Sequence, residues 1–434
     1  MASQSAPLTE RKYALPFALV TSLFFLWSIG VNLNDVLIPH LKKAFNLTDF
    51  QSSFIQVAFF GGYFLAAFPA GRLMEKIGYK KGLLIGLLIC AAGTLLFLPA
   101  ATSRAYWFFL LALFVMSSGQ SFLEVGANPY VTVLGPPESS ERRLNLAQSF
   151  NSIGAVLVPT LGAAFILSGI DYTPSQRAAM SSQQLQNYIA TETNMVKMPY
   201  LLITGIFLLV AAMIYFARLP EVQPGKIEDA IERDGQSANS IWAHPHLIKG
   251  VIAQFFYVGA QVGIGSFVIR FAKHAMPSTP EKMAALFLVA HQTGFMIGRF
   301  SGSWMMKRIP APRLLAAFGI GALICVMIGI GMNGLASVLA IVLVGFFNSI
   351  MFPTIFALSL KNLGALTKRA SSLLVMSIIG GALIPAAMGK ISDVSNIQVA
   401  FIMPLICYTY VIYFAMRGYK TNEMLADSES SRTV

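Results

Sequence analysis

The chain has 434 residues, of which 56% are hydrophobic and only 12% charged, whereas an ordinary soluble domain carries about 25% charged residues. That composition excludes a water-soluble globular fold and predicts a polytopic protein of the lipid bilayer, long enough for a dozen apolar runs of about 20 residues joined by short loops. The net charge of +12 does not mark a nucleic-acid partner, because the basic residues are spread through loops rather than gathered on one compact face.

Arg11 and Lys12 precede an apolar run that looks like the start of a signal peptide, but the run continues through Trp27 to Asp35 without a small-residue cleavage site. It reads as the first span, over 15–39. Spans over 52–73, 81–101, 106–133, 144–168 and 198–217 complete a first set of six. A polar stretch from Arg218 to His246, containing Pro220, Pro224, Lys226, Glu228, Asp229, Glu232 and Asp234, has the composition of a solvated linker. Spans over 248–272, 283–305, 313–332, 335–360, 370–390 and 398–416 form the second set. The expected fold is therefore an all-α polytopic membrane protein of twelve transmembrane helices in two pseudo-symmetric six-helix bundles. The expected domains are a bundle over 1–217, a cytoplasmic linker over 218–247, and a second bundle with a cytoplasmic tail over 248–434.

Arg72, Lys76, Lys80, Lys81, Arg142, Arg143, Lys307, Arg308, Arg313, Lys361, Lys368 and Arg369 all fall in even-numbered loops. Positive residues stay on the cytoplasmic side of short loops, so both termini are expected there, in a cell (inner) membrane. The odd loops hold Lys42, Lys43, Arg104, Arg177, Lys197, Lys273 and Lys282, so the bias is moderate. Asn46-Leu47-Thr48 matches a glycosylation acceptor, and Thr48 or Asp49 equally suits a helix N-cap. Cys90, Cys325 and Cys407 lie far apart in apolar segments and suggest packing rather than a disulfide or zinc site.

The two halves repeat one another. Gly71 to Lys76 lines up with Gly302 to Lys307, and Arg143, Asn151, Ile153, Gly154, Leu157 and Pro159 fall in step with Arg369, Ser377, Ile379, Gly380, Leu383 and Pro385. Internal repeats of this kind are a transporter architecture with the substrate site near the midplane between them.

Two carboxylates lie at membrane depth, Asp35 in the first span and Glu124 in the fourth. Ionisable groups inside a membrane face a wet interior and mark ion or substrate pathways, and no basic partner is evident within the cores of the first six spans. A carboxyl group taken out of water can pick up and release a proton near physiological pH, so the pair points to proton handling. Each sits on a polar stripe: Asn32 with Asp35, and Gln120, Glu124 and Asn128 four apart. Gln148 and Asn151 form another stripe on the fifth span, and Gln254, Tyr257 and Gln261 another on the seventh. Amides that both give and accept hydrogen bonds, with an aromatic cover, suit a small neutral hydroxyl-rich ligand. Any single amide of this kind can equally serve interhelical packing. Gly294, Gly298 and Gly302 read as a close-packing seam. His291 and Gln292 stand one turn toward the external end, where they can line a cavity or simply hydrogen-bond within the packing. Arg299 is too deep to snorkel and reads as part of a structural charge network, while Arg270 can reach the interface. With no metal-spaced cluster, no nucleophile beside a base and no phosphate-binding loop, neither an enzyme nor a cofactor is expected.

Gly71-x-x-x-Glu75-Lys76-x-Gly78-x-Lys80-Lys81 resembles in outline the loop signature between the second and third helices of the major facilitator superfamily, with Glu75 for the usual aspartate and Lys76 for the usual arginine. The resemblance marks Gly71, Glu75, Lys76, Gly78 and Lys80 as gating residues. Phe25-Leu26-Trp27 followed by Asn32-Leu33-Asn34-Asp35, the string from Leu123 to Gly135, Arg143 to Ser152, Ala253 to Gln261, and Phe352 to Phe356 leading to Lys361-Asn362-Leu363-Gly364 are similar to the L-fucose:proton symporter family over nearly the whole chain.

That resemblance implies a twelve-helix facilitator working by alternating access and importing a neutral hexose with protons, as a monomer. It implies Asp35 and Glu124 as the proton-coupling carboxylates, with Asn32, Gln148 and Asn151 facing Gln254, Tyr257 and Gln261 around the sugar. After Gln261 the chain reads Val262-Gly263-Ile264-Gly265, smaller than in the fucose branch, which leaves fucose, glucose, galactose and N-acetylglucosamine open. A uniporter or a proton-driven exporter on the same fold is the alternative; the amide stripes argue against an exporter of apolar drugs.

Overall fold

With no water in the hydrocarbon core, a spanning backbone must satisfy its own polar groups, and an apolar sequence without strand alternation does so as helix. The computed structural model describes residues 6–45, 47, 49–166, 176, 179–220 and 240–421, and its regular structure there is entirely helical. The Asp35 side chain, Asn46, Thr48, Arg177, linker residues 221–239 and the tail from 422 lie outside the described part.

The first half comprises α1 (Ala14–Phe45), α2 (Asp49–Leu95), α3 (Phe97–Ser103), α4 (Tyr106–Val133), α5 (Ser140–Ile166), α6 (Ser182–Met195) and α7 (Lys197–Phe216). As one straight rod, α2 would be about 70 Å long, more than twice the hydrocarbon thickness. It is instead two spans joined at Gly78, whose φ of 81° belongs to the region glycine alone enters freely. Met74 and Gly82 meet across that turn. The second half comprises α8 (Pro245–Ala275), α9 (Glu281–Met305), α10 (Ala311–Gly331), α11 (Gly334–Asn348), α12 (Met351–Ser359), α13 (Thr367–Met376), α14 (Gly380–Val394), α15 (Ile397–Ala400) and α16 (Ile402–Tyr413).

By length and hydropathy, nine helices among the described residues can cross a membrane, one of them holding the two spans that meet at Gly78. The two crossings this criterion misses are α5 and α9. They pack against each other between the halves, so their polar faces meet protein rather than lipid.

Packing repeats as the sequence does. In the first half α1 lies along α5 and α2 along α4; in the second, α8 lies along α14 and α9 along α11. The halves meet through α5 with α9 and through α2 with α13, the two faces that a pseudo-twofold axis exchanges.

Two features were not anticipated. Helix α6 precedes the sixth span and starts at a capping box in which Ser181 and Gln184 satisfy each other's backbone N–H groups. The tenth span is broken between α11 and α12, around Ser349 and Ile350. A break frees backbone carbonyls: the Tyr257 hydroxyl donates to Asn348 O at 3.0 Å and Arg299 Nε to Ser349 O at 3.0 Å.

Candidate functional site

Glu124 sits on the α4 face that carries Gln120 and Asn128, and all three are buried. Tyr63 from α2 and Asn128 flank its carboxyl group, and Arg299 from α9 acts on it electrostatically from the other half. Asn128 Oδ1 accepts from Gln148 Nε2 at 3.0 Å, and Gln148 Oε1 accepts from Arg299 Nη1 at 3.2 Å. The same guanidinium reaches Gln148 O at 2.5 Å and lies 4.5 Å over the Phe295 ring. Asn128, beside the Glu124 carboxyl group, is thus bonded through Gln148 to an arginine of the second half that acts on that carboxyl group electrostatically. Arg299 is the basic partner that the first six spans lack, and only the tertiary fold brings it there.

Asp35 lies near the far end of α1. That helix crosses α4 at Gly30, where a Cβ would fall 1.9 Å from Gln120 Nε2, so Gly30 and Gln120 are level. Asp35 is five residues beyond Gly30 in one direction and Glu124 four beyond Gln120 in the other, an axial offset of about 13 Å at 1.5 Å per residue. The two positions therefore stand at different depths along their helices.

A cavity of about 370 Å³ lies between the halves. Asn32 and Gln56 enter it from the first half, Gln261, His291 and Gln292 from the second, and Phe59, Phe60 and Phe295 supply apolar wall. Gly265 also lines it and faces open space, with nothing within 4 Å of a Cβ placed there. The structure therefore brings Asn32 and Gln261 together across the pseudo-twofold axis.

The other four expected sugar ligands do not line this cavity. Asn151 donates to Phe24 O at 3.1 Å, and Gln148 belongs to the Arg299 link. Tyr257 is wholly buried on Asn348 O, and Gln254 is wholly buried with neither amide atom hydrogen-bonded. An unpaired buried amide costs about 1–3 kcal/mol, so Gln254, Asn128 Nδ2 and Asn348 Nδ2, all lacking partners, mark places for water or ligand below the cavity. Gln56 was missed because a lone glutamine carries no stripe.

Polar contacts between the halves also gather toward the face that carries the N-terminal segment. Glu75 Oε1 pairs with Arg369 Nε at 2.7 Å and Glu141 Oε1 with Lys361 Nζ at 2.5 Å. Ser371 Oγ donates to Val125 O at 2.7 Å and Asn145 Nδ2 to Thr354 Oγ1 at 3.0 Å. Gly71 lets α2 approach α13, since a Cβ there would lie 2.8 Å from Ser372 Oγ and 3.0 Å from Lys368 O. Lys80 instead caps α7 in its own half, donating to Tyr215 O and Ala217 O at 2.8 Å each. Lys76 is exposed, and Gly78 makes the turn. Of the loop residues, Gly71 and Glu75 touch the opposite half, and the face is closed.

Residues 20–385 match the Major Facilitator Superfamily. The L-fucose-proton symporter of Escherichia coli (strain K12) is 42% identical over 409 residues, 94% of this chain and 93% of that protein. The glucose/galactose transporter of Brucella abortus biovar 1 (strain 9-941) is 40% identical over 414 residues, 95% and 96% of the two chains. The crystal structure of the transporter FucP in the outward conformation is 41% identical and superposes with a TM-score of 0.86, covering 95% of this chain and 100% of that one. Fold, repeat and sequence agree: this chain belongs to the major facilitator superfamily, a family of transporters rather than enzymes.

Proposed function

We propose that this chain is a symporter that imports a neutral hexose with protons by alternating access. The observation that carries the reading is the electrostatic reach of buried Glu124 to Arg299, which Gln148 bonds across the halves, because it joins a buried titratable group to the interface that must part during transport. The names of the relatives, L-fucose-proton symporter and glucose/galactose transporter, support a hexose as the substrate.

In this reading the closed face is cytoplasmic, both termini lie on it, and the cavity receives sugar from outside a cell (inner) membrane. The expected topology rests on the lysines and arginines of the even loops. The ionised Glu124 carboxylate on α4 attracts Arg299, and that attraction helps hold α9 against the first half. Protonation removes it and leaves Arg299 held by neutral oxygens alone. Sugar bound between Asn32 and Gln261 draws the outer ends together while the Glu75–Arg369 and Glu141–Lys361 pairs separate. Asp35, about 13 Å nearer the outside by register, takes part at the external end. Gln148, Asn151, Gln254 and Tyr257 then meet the sugar as it passes below the cavity, and Gly71, Glu75, Lys76, Gly78 and Lys80 form the loop whose contacts remake. The working unit is a monomer. Coupling requires that the protonated carrier without sugar cross poorly, since a ligand shifts an equilibrium only by its differential affinity for the two states.

The test uses membrane vesicles with an imposed proton gradient. Labelled hexose should accumulate unaltered, and adding sugar without a gradient should make the external medium alkaline. Uptake without alkalinisation would indicate a uniporter, and outward movement driven by the gradient an exporter.

A further inference from the structure

The cavity holds a ring nitrogen whose hydrogen-bonding sense is set by the fold. His291 on α9 is 2% exposed and lines the cavity. Its backbone is held hard against α11, because a Cβ at Gly345 would fall 2.2 Å from His291 O. Its Nδ1 lies 3.3 Å from Ile341 O. A carbonyl oxygen only accepts, so the proton of the neutral ring sits on Nδ1 and Nε2 is left as an acceptor.

The polar groups around it are different. Gln56, Gln261 and Gln292 are amides, each with donors and an acceptor, and the Ser266 hydroxyl can do both; Asn32 is anchored by Nδ2 on Ser28 O at 2.7 Å but keeps a second donor hydrogen beside its acceptor. Such groups rearrange to meet a hydroxyl in many orientations and discriminate weakly. A single acceptor on a rigid ring demands a proton from the ligand.

Resting on the hexose reading above, we propose that His291 is a substrate-binding residue that selects sugars carrying a free hydroxyl at one particular ring position. A deoxy sugar has no group to offer there, and an O-methyl sugar has an oxygen but no proton. A site built to hydrogen-bond a substrate hydroxyl rejects analogues that lack it, because its own polar group is then left unpaired.

The experiment measures competition by each monodeoxy and mono-O-methyl derivative of the transported hexose against its uptake in energised vesicles. In the unmodified chain one ring position should be intolerant of both changes. In His291→Leu the penalty at that position should fall about ten-fold or more while the other positions hold their ratios; in His291→Gln, which keeps an acceptor, part of the penalty should remain. Each ratio is taken within one variant, so a lower amount of folded protein does not alter it. The proposal is overturned if no position in the unmodified chain rejects both derivatives, or if His291→Leu leaves the profile unchanged or shifts every position together. Absence of hexose uptake by the unmodified chain overturns the functional reading as well.

Discussion

Arg299 and Gln148 join the halves of this transporter: one guanidinium nitrogen of α9 donates to both the backbone and side-chain oxygens of a single residue on α5. The same guanidinium holds the carbonyl freed by the break in the tenth span and lies within electrostatic reach of Glu124. One side chain thus senses the carboxyl group, the break and the interface.

Truncating that arginine should therefore be severe. Removing one partner of a buried charge pair costs about 3–5 kcal/mol, while removing both costs far less. Arg299→Met should lower the thermal midpoint of the detergent-solubilised protein sharply, and Glu124→Gln added to it should restore part of the loss. A double variant no more stable than Arg299→Met alone would rule out their coupling. Arg299→Lys should rescue poorly, because an ammonium group lacks the planar fork that reaches Gln148 and Ser349 together.

Glu124→Gln should separate coupling from binding. With the carboxyl group replaced by a permanently neutral one, gradient-driven accumulation should fall to the background level. Exchange of internal for external sugar, which needs no net proton movement, should persist. Accumulation at the level of the unmodified chain would remove Glu124 from the proton pathway.

The two ion pairs on the closed face should contribute unequally. Arg369 is 48% and Glu75 22% exposed, against 30% for Lys361 and 7% for Glu141. Exposed pairs contribute at most about 1 kcal/mol, so Glu75→Gln should raise the population open at this face no more than about five-fold. Glu141→Gln should raise it further. Spin-label distances across the closed face, compared between the two variants, check the order.

Gly71→Val tests the same face by sterics. Its side chain would meet Ser372 and the backbone of Lys368, and neither can move without parting α2 from α13. The variant should fold and should make cysteines placed below the cavity accessible from the side of the closed face. Unchanged accessibility would mean that the approach at Gly71 does not hold the face shut.

Gly265→Leu should do the opposite, leaving the fold alone and filling the cavity. Nothing lies within 4 Å of a Cβ there, so thermal stability should change by less than about 0.5 kcal/mol, as at an uncrowded surface site. Sugar uptake should fall to background, and a variant that transports normally would place the substrate elsewhere.

Much of the architecture could be read from residue order. Apolar run length and the central polar stretch predicted the crossings, since a bilayer imposes one length on every helix. The repeat of Arg143 and its neighbours with Arg369 and its neighbours anticipated that the packing of α1 on α5 recurs as α8 on α14. Yet those two arginines do different work. Arg143 is wholly buried and turned on the carbonyls of Val131, Leu8 and Pro136 in its own half, whereas Arg369 pairs across the gap with Glu75. The break after Asn348 was not legible either. Asn348 stands five residues before Pro353 as Glu124 stands five before Pro129, but α4 runs unbroken, so proline alone does not decide where a span breaks.

The sequence by itself determined the fold class, the duplication and the chemistry available, because helical periodicity, hydropathy and residue type are local properties that survive without knowing what lies opposite. Which polar groups meet was decided only by the tertiary structure. The seventh-span stripe of Gln254, Tyr257 and Gln261 is one face in sequence, but packing leaves Gln261 in the cavity and buries the other two beneath it. Arg299 and Glu124 stand 175 positions apart in the chain, and only the approach of α5 to α9 turns two separate costs of burying charge into one interaction.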